Sequence, residues 1–234
     1  MKKRFLVLIL IASTLTVGTA SFFVSRAIYN RAYEKEKAEM NQKVFEIYYN
    51  GKVKLFKEEN KNISNVDVSF VGDSLTDGYD VEKFYPDYNV VNRGISGDNT
   101  FGVEKRLDCS VYDIHPKVVN LLIGANNFDT MLDNYETIVT KIKTNVPETK
   151  IILCSLTSMT GSWAKNNEKA RKNNVKIKEI AERNGCSYAD LFNALLDPNT
   201  NELKAEYSLD GGHLTTAGYE VVTFVITQIL KSMI

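Results

Sequence analysis

The chain has no excess of charge of either sign, since 29 basic residues balance 29 acidic ones among its 234 residues. This balance argues against a nucleic-acid-binding protein held by a basic face. Cysteine is scarce as well: three residues at wide spacing form no CxxC pair, so neither a disulfide framework nor a zinc site is indicated. The GxSxG, HExxH, GxGxxG and P-loop patterns are all absent. Without a glycine-rich phosphate loop, a nucleotide-binding flavodoxin-like domain is disfavoured.

Only the amino terminus carries a hydrophobic run long enough to cross a bilayer. Three basic residues precede the uncharged stretch Phe5–Val24. The small residues Gly18–Ala20 fit a cleavage site, so residues 1–25 are either an uncleaved signal anchor or a cleaved signal peptide. The apolar run continues past that site, which favours the anchor. We therefore predict an N-terminal transmembrane helix with the rest of the chain outside the cytoplasm, secretion after cleavage being the alternative.

Residues 26–64 are strongly charged and rich in good helix formers, so we predict a helical stalk or linker. One interpretation is self-association through a loose apolar stripe formed by Tyr33, Met40, Val44 and Ile47. The other is a solvated helical spacer that is interrupted at Gly51. The domain itself is placed at residues 65–234.

From Val66 onward, short apolar runs alternate with segments of helical spacing. The predicted strands are Val66–Val71, Asn89–Ile95, Lys117–Gly124, Lys150–Leu156 and Cys186–Leu191. The predicted helices are Thr100–Leu107, Leu132–Val146, Asn166–Asn184 and Thr215–Met233. Strands separated by helices predict an α/β fold with a five-stranded parallel sheet that is covered on both faces.

Polar segments stand where the predicted strands end or the last helix begins. These segments are Gly72–Ser74, Asn92–Gly97, Gly124–Asn127 and Asp210–His213. The first three can converge, because the carboxyl ends of parallel strands share one edge, where ligands bind in such sheets. A serine at the end of a strand is a candidate nucleophile there. Taken alone, however, Gly72–Ser74 is equally an ordinary polar turn.

The two histidines of the chain differ in their value as a general base. His115 stands before Pro116 at the start of the third predicted strand, which places it at the opposite edge of the sheet. His213 follows Asp210 with two glycines between them, so that a tight turn can bring the carboxylate to the imidazole. His213 is therefore the base that a serine nucleophile requires. Asp190, at the end of the fifth predicted strand, is the weaker rival for the acid.

The polar segments resemble the sequence blocks of the SGNH, or GDSL, family of serine esterases and acyl hydrolases. The resemblance covers about Val66 to the carboxyl terminus. It is carried by Gly72-Asp73-Ser74-Leu75, Gly94, Gly124-Ala125-Asn126-Asn127, and Asp210 with His213. The family fold is a three-layer α/β/α sandwich, similar to flavodoxin, which agrees with the predicted alternation of elements. One departure is Asn127, where the family usually has Asp.

The resemblance implies acyl transfer to a serine. Ser74 would be the nucleophile, His213 the base and Asp210 the acid that orients it. The backbone N–H groups of Ser74 and Gly94, with the Asn126 side chain, would form the oxyanion hole. No triad role is implied for Asp73, which we interpret as a structural hydrogen-bonding group. No metal and no organic cofactor is implied.

The expected function is hydrolysis of carboxylic esters with a short acyl chain, including O-acetyl groups on carbohydrate. The sequence contains no long apolar insertion that would serve as a lipid lid. Lysophospholipid or thioester hydrolysis is the alternative within the family. An inactive surface carbohydrate-binding module on the same fold is the alternative from another class. The expected partners are the ester substrate and, through the amino-terminal helix, the membrane, with no nucleic acid.

Overall fold

The computed structural model describes residues 26 and 28–234. The chain forms two compact units, Met1–Tyr48 and Tyr49–Ile234. Within the described residues, no helix is both long and apolar enough to cross a membrane. The anchor predicted at Phe5–Val24 lies outside the described residues and stays a prediction.

Helix α1, Lys2–Glu59, begins in the first unit and ends in the second. The apolar side chains of the predicted stripe, among them Met40 and Ile47, are exposed. The interruption predicted at Gly51 does not occur, since α1 continues through it. A single glycine costs a helix about 1 kcal/mol. Residues 49–59 of α1 pack on the rest of the second unit, and this packing offsets the cost.

The second unit contains five parallel strands in the order β2-β1-β3-β4-β5. The strands are β1 Val68–Gly72, β2 Val90–Gly94, β3 Val118–Leu122, β4 Lys150–Cys154 and β5 Ser187–Ala189, with a two-stranded ribbon of β6 Leu196–Asp197 and β7 Glu202–Leu203. The helices are α2 Ser74–Asp77, α3 Val81–Phe84, α4 Thr100–Lys105, α5 Leu107–Ser110, α6 Tyr135–Asn145, α7 Asn167–Arg183, α8 Leu191–Leu195 and α9 Thr216–Leu230. The predicted five-stranded parallel sheet is confirmed.

Alternate side chains of the central strands enter two separate cores, as the two-residue period of a strand requires. Val119 and Leu121 of β3 pack in the core that also holds α6 and α7. Val118 and Leu122 pack in the core that holds α8 and α9. Helices therefore cover both faces of the sheet, which makes the unit a three-layer α/β/α sandwich.

The end of α1, which belongs to the second unit, packs on the rest of that unit through both apolar and polar groups. Phe56 is only 2% exposed, and Glu59 and Asn60 each accept a hydrogen bond of 2.8 Å from the Arg93 guanidinium. The predicted domain boundaries after residues 25 and 64 stay predictions. Because Phe56, Glu59 and Asn60 contact the sheet-containing part of the unit, truncation at residue 64 is a test of the second boundary.

The helix predicted over Thr100–Leu107 is divided at Arg106, whose backbone leaves the helical region at φ −118° and ψ 17°. Its side chain turns inward and is 1% exposed. The helix therefore breaks at the residue whose side chain is buried. By contrast, the last helix begins as predicted, because the Thr215 hydroxyl accepts the Gly218 N–H at 3.2 Å and caps α9.

Candidate active site

The candidate site lies where the strand order of the sheet reverses. β1 pairs with β2 on one side and with β3 on the other. The chain leaves β1 toward β2 and leaves β3 toward β4, in opposite directions along the sheet, which opens a crevice at the carboxyl ends of β1 and β3. Ser74 follows β1 and Asn126 follows β3, so the topology brings both residues to this crevice.

Ser74 is held at the first position of α2 by the residue before it. Asp73 caps the helix, since its Oδ1 accepts the Leu75 N–H at 3.1 Å. As the first helical residue, Ser74 has a backbone N–H without an intrahelical partner. The serine hydroxyl and this N–H are therefore both available at the crevice.

Burial shapes the chemistry of Asp73. The carboxyl group is 2% exposed, and this desolvation, with the nearby charge of Asp98, raises its pKa to about 7. The Leu75 N–H, His213 and Arg106 act in the opposite direction. Asp73 thus retains a proton at pH values where an ordinary carboxyl group has lost it.

His213 lies between Ser74 and Asp210. Its Nε2 is 2.9 Å from Ser74 Oγ, and its Nδ1 is 2.7 Å from Asp210 Oδ2. The other oxygen of Asp210 accepts the backbone N–H groups of Gly212 and His213 at 3.0 and 2.8 Å. The bond from the His213 ring, followed by these two backbone bonds, lowers the pKa of Asp210 to about 2. Asp210 is therefore a carboxylate over the whole neutral range.

Two further contacts fix the nucleophile helix and the histidine loop in place, one for each. The Tyr219 hydroxyl of α9 donates to the Leu75 carbonyl of α2 at 2.8 Å. The Thr160 N–H donates to the Gly211 carbonyl at 2.9 Å, between Asp210 and His213. Both ends of the Ser74–His213 contact are thus fixed to the body of the fold.

The adjacent asparagines after β3 point to different partners. Asn126 Nδ2 donates to the Asp98 carbonyl at 2.8 Å, and the residue lines the crevice. An amide has two N–H donors, so one remains for a ligand. Asn127 Nδ2 donates to Thr100 Oγ1 at 2.9 Å and joins its own loop to α4. Asn127 therefore has a structural role in the position where the family usually has Asp.

The structure does not bring Gly94 to the crevice. Its N–H donates to Asn92 Oδ1 at 2.8 Å, and a Cβ there would lie 2.1 Å from the Asp77 nitrogen. Gly94 is thus required for the close approach of β2 and α2, and its N–H is already used. The sequence prediction of Gly94 as an oxyanion donor is corrected on this ground.

Gly97 lies in the crevice instead. The Asp98 N–H donates to the Ile95 carbonyl at 3.0 Å, which closes a four-residue turn over Ile95–Asp98. Gly97 has φ +82° at its third position, as a type II turn demands. We call these four residues the Gly97 turn.

A buried arginine, which sequence reasoning missed, connects the strand ends behind the site. Arg106 Nε bonds Asp98 Oδ2 at 2.8 Å, and both side chains are 1% exposed. Its other nitrogens donate to the carbonyls of Arg93 and Gly72 at 2.8 and 2.9 Å. The one signal in the sequence is an arginine inside an amphipathic segment, where a solvent-facing charge is the ordinary expectation.

The crevice widens into a cavity of about 380 Å³. Beside Ser74 and His213, its wall is largely apolar, with Phe128, Leu156, Met159 and Trp163. Trp163 is 40% exposed at the rim, and its ring lies beside Gly211 and Gly212.

The rejected alternatives for acid and base lie elsewhere. His115 precedes β3, at the amino edge of the sheet. Asp190 caps α8, since its carboxylate accepts the backbone N–H of Asn193 at 3.1 Å. Among the described residues, no group of three or more His, Cys, Asp or Glu side chains is placed to hold a metal ion.

A serine that contacts a histidine, which in turn contacts a carboxylate, is the arrangement of hydrolases that form an acyl-serine, and the hydrolases that act on ester bonds are one class of them. Sequence comparison then identifies the family within the class. The model of the GDSL-like lipase/acylhydrolase family matches residues 70–221, more than half of the chain. The chain therefore belongs to this family, and the predicted resemblance is confirmed.

Solved structures share the fold. A Streptococcus pneumonia protein superposes with a TM-score of 0.76 at 24% identity, over 82% of this chain and 97% of its own. A GDSL-like lipase from Bacteroides thetaiotaomicron gives 0.70 at 22%, covering 78% and 98%. An acetylxylan esterase from Geobacillus stearothermophilus gives 0.60 at 19%, covering 72% and 95%. None of the curated proteins matches the chain significantly.

Proposed function

We propose that the protein is a serine esterase in which Ser74, His213 and Asp210 form the catalytic triad. The observation that carries this proposal is the continuous contact from Asp210 through His213 to Ser74, at 2.7 and 2.9 Å, at the wall of the cavity. Because Asp210 is a carboxylate, it holds the proton of His213 on Nδ1 and leaves Nε2 as the acceptor.

The reaction follows from these contacts. Ser74 Oγ bonds to the ester carbonyl carbon while its proton moves to His213 Nε2. The bond to the leaving alkoxy group then breaks, and this group takes the proton from His213. A water molecule next attacks the acyl carbon and gives a proton to His213. The bond from this carbon to Ser74 Oγ then breaks, Oγ takes the proton from His213, and the carboxylic acid leaves.

The carbonyl oxygen becomes negative in the tetrahedral intermediate and needs donors. We assign these donors to the backbone N–H groups of Ser74 and Gly97 and to the free amide hydrogen of Asn126. Gly97 replaces Gly94 in this assignment, because Gly97 lines the cavity whereas the Gly94 N–H is bonded to Asn92. Such donors act on the transition state and not on the ground state.

We also propose that the acyl chain is short, with O-acetyl groups on carbohydrate among the substrates. A cavity of about 380 Å³ is near the lower end of ligand sites, which span roughly 300–1,000 Å³. The exposed face of Trp163 at the rim is suited to stacking on a sugar ring. One structural neighbour is named as an acetylxylan esterase, which makes acetylated xylan a reasonable member of the test set.

A panel of p-nitrophenyl esters from acetate to decanoate tests chain length. We expect kcat/KM to fall beyond butyrate and to be unaffected by EDTA, since no step uses a metal. Acetylated xylan, a lysophospholipid and a thioester complete the panel. A maximum at decanoate or on the lysophospholipid would contradict the short-chain proposal. If a fluorophosphonate probe failed to label Ser74 and no ester were cleaved, the inactive binding module would be the better interpretation.

The acid of the triad is tested by a matched pair of aspartates. Asp210→Asn should lower kcat by about 10⁴, because the neutral amide no longer fixes the histidine tautomer. Asp190→Asn is the control, since its partner is the start of α8. The two variants should melt within a few degrees of each other in circular dichroism. Equal kinetics for both would remove Asp210 from the triad.

We further propose that Phe5–Val24 anchors the protein in the membrane, with the hydrolase domain outside the cytoplasm, secretion after cleavage being the alternative. The support is an uncharged stretch that follows three basic residues. Protease added to intact cells should remove the domain, and the cleared medium should hold none of it. Full-length protein in the cytosolic fraction would contradict both arrangements.

A further inference from the structure

Lys52, in the part of α1 that belongs to the second unit, forms a partly buried ion pair with Asp77. Its Nζ is 2.8 Å from Asp77 Oδ1, and the two side chains are 23% and 12% exposed. Asp77 is the last residue of α2, the helix that begins with Ser74. Solvent screens such a pair less than it screens an exposed one, so Lys52 stabilises this carboxylate in place.

The same carboxylate holds the Gly97 turn. Asp77 Oδ2 accepts both the backbone N–H and the hydroxyl of Ser96, at 3.1 and 2.6 Å. Ser96 is the second residue of the turn and lies beside Gly97 in the cavity wall. The position of the Gly97 N–H therefore depends on where Asp77 lies.

The first residue of the turn is held by the same end of α1. Ile95 is fully buried, in one cluster with Phe56 and Cys109. The Lys52 ammonium lies 5.5 Å from the centre of the Phe56 ring, so the apolar and ionic contacts form one surface. The α1 residues of this surface, Lys52 and Phe56, precede residue 70, where the match to the family begins, and no family block contains them.

We propose that Lys52 is a positioning residue, which fixes the Gly97 turn through Asp77 so that the Gly97 N–H points at the oxyanion. This inference rests on the proposed esterase function. Without the Lys52 ammonium, the Asp77 carboxylate, which is 12% exposed, loses this 2.8 Å ion pair and reorients toward water. The two bonds from Ser96 to Asp77 then weaken, the Gly97 N–H is less well positioned, and its hydrogen bond to the oxyanion is weaker.

Steady-state kinetics of Lys52→Met in the full chain, on the best ester of the panel, tests this step. We expect kcat to fall about tenfold with KM within about twofold, because the donor acts only on the transition state. Lys52→Arg keeps the positive charge and should recover most of kcat. Lys54→Met is the matched control, since Lys54 is exposed on the same helix, and its kinetics should equal those of the native protein.

Amide hydrogen exchange gives a readout that needs no substrate. The Ser96 N–H should exchange faster in Lys52→Met than in Lys54→Met, because its acceptor has moved. Equal kcat and equal Ser96 exchange in the two variants would overturn the inference. A loss of kcat that accompanies a lower melting temperature and is not recovered in Lys52→Arg would also overturn it, as a merely structural effect. If the native protein cleaved no ester, the proposed function would fail, and the exchange rates would still decide this inference.

Discussion

At the scale of single residues, neighbours along the chain have separate tasks. Asn126 faces the cavity while Asn127 bonds α4, and Asp73 is buried while Ser74 is accessible from the crevice. Asp73 and Ser74 lie where β1 passes into α2, and Asn126 and Asn127 lie in the turn after β3, so the two neighbours of each pair have different surroundings. The kinetic and the structural roles of each pair can therefore be separated by single substitutions.

Asn126 is expected to act on the transition state alone. Asn126→Ala should lower kcat by about 10²- to 10³-fold and spare KM, because a single oxyanion donor is worth that much. Asn126→Asp should be at least as damaging, since it puts an acceptor where a donor is needed. Asn127→Asp restores the usual family residue and should stay within about tenfold of the native rate. If Asn127→Ala lost kcat while Asn126→Ala kept it, the roles assigned to the two residues would have to be exchanged.

Asp73 is expected to make stability fall as pH rises. Its pKa is raised to about 7 in the folded protein, against about 4 when unfolded. Between these values the folded state binds more protons at Asp73, so the contribution of this group to stability is fully present below about pH 4 and is lost as the pH rises through about 7. Asp73→Asn keeps the acceptor for Leu75 and removes this slope. We expect the free energy of unfolding of Asp73→Asn, relative to that of the native protein, to increase as the pH rises from about 4 to about 7. Denaturant unfolding of both proteins measures it, and the same pH dependence in both would contradict the raised pKa of Asp73.

At the scale of elements, the site depends on how closely β2 and its following turn approach α2. Gly94 and Gly97 are three residues apart and serve this contact in different ways. A methyl group at Gly94 would meet the Asp77 backbone at 2.1 Å, whereas Gly97 has a positive φ of 82°. The first is a packing constraint and the second a conformational one.

The two glycines should therefore give different variants. Gly94→Ala is expected to destabilise the protein by about 3 kcal/mol or more, since backbone must move to relieve the overlap. Gly97→Ala should cost about 1–2 kcal/mol from the left-handed conformation, while kcat falls because the turn shifts its N–H. Chemical denaturation and kinetics on both variants check this. A larger kinetic defect in a folded Gly94→Ala protein would restore the original assignment of the oxyanion donor.

This contrast shows what could be predicted from the sequence. The five strands are predictable because buried parallel strands are nearly continuous apolar runs. The structure brings together Ser74 and Asn126 from the motifs after β1 and β3 with Asp210 and His213 from the motif before α9. The sequence prediction assigned the oxyanion donor to Gly94, and only the fold shows that the Asn92 side chain occupies the Gly94 N–H. Phe56 was missed because it is one apolar residue among charged ones.

At the scale of the whole molecule, the second compact unit extends into the charged helix and begins at Tyr49. The Tyr49 hydroxyl donates to the Gly102 carbonyl at 2.8 Å, and Glu59 pairs with the buried Arg93. Residues 49–62 thus contribute to the unit even though their composition is typical of a linker.

Two truncations test this contribution. A protein of residues 65–234 loses the burial of Phe56 and leaves Arg93 without its carboxylate, which together cost on the order of 3–5 kcal/mol. Its melting temperature should be about 10 °C below that of residues 49–234, and its kcat should be lower because the Gly97 turn is less constrained. Equal melting temperatures would support the predicted boundary at residue 65.

The central claim is that Ser74 attacks the ester and His213 takes its proton. The most direct test is kcat on the preferred p-nitrophenyl ester for Ser74→Ala and His213→Ala, with His115→Ala as the control histidine. We expect the first two to lose about 10⁴-fold or more and His115→Ala to stay near the native rate, all three being folded by circular dichroism. Retained turnover in Ser74→Ala, or its loss in a folded His115→Ala protein, would contradict the account.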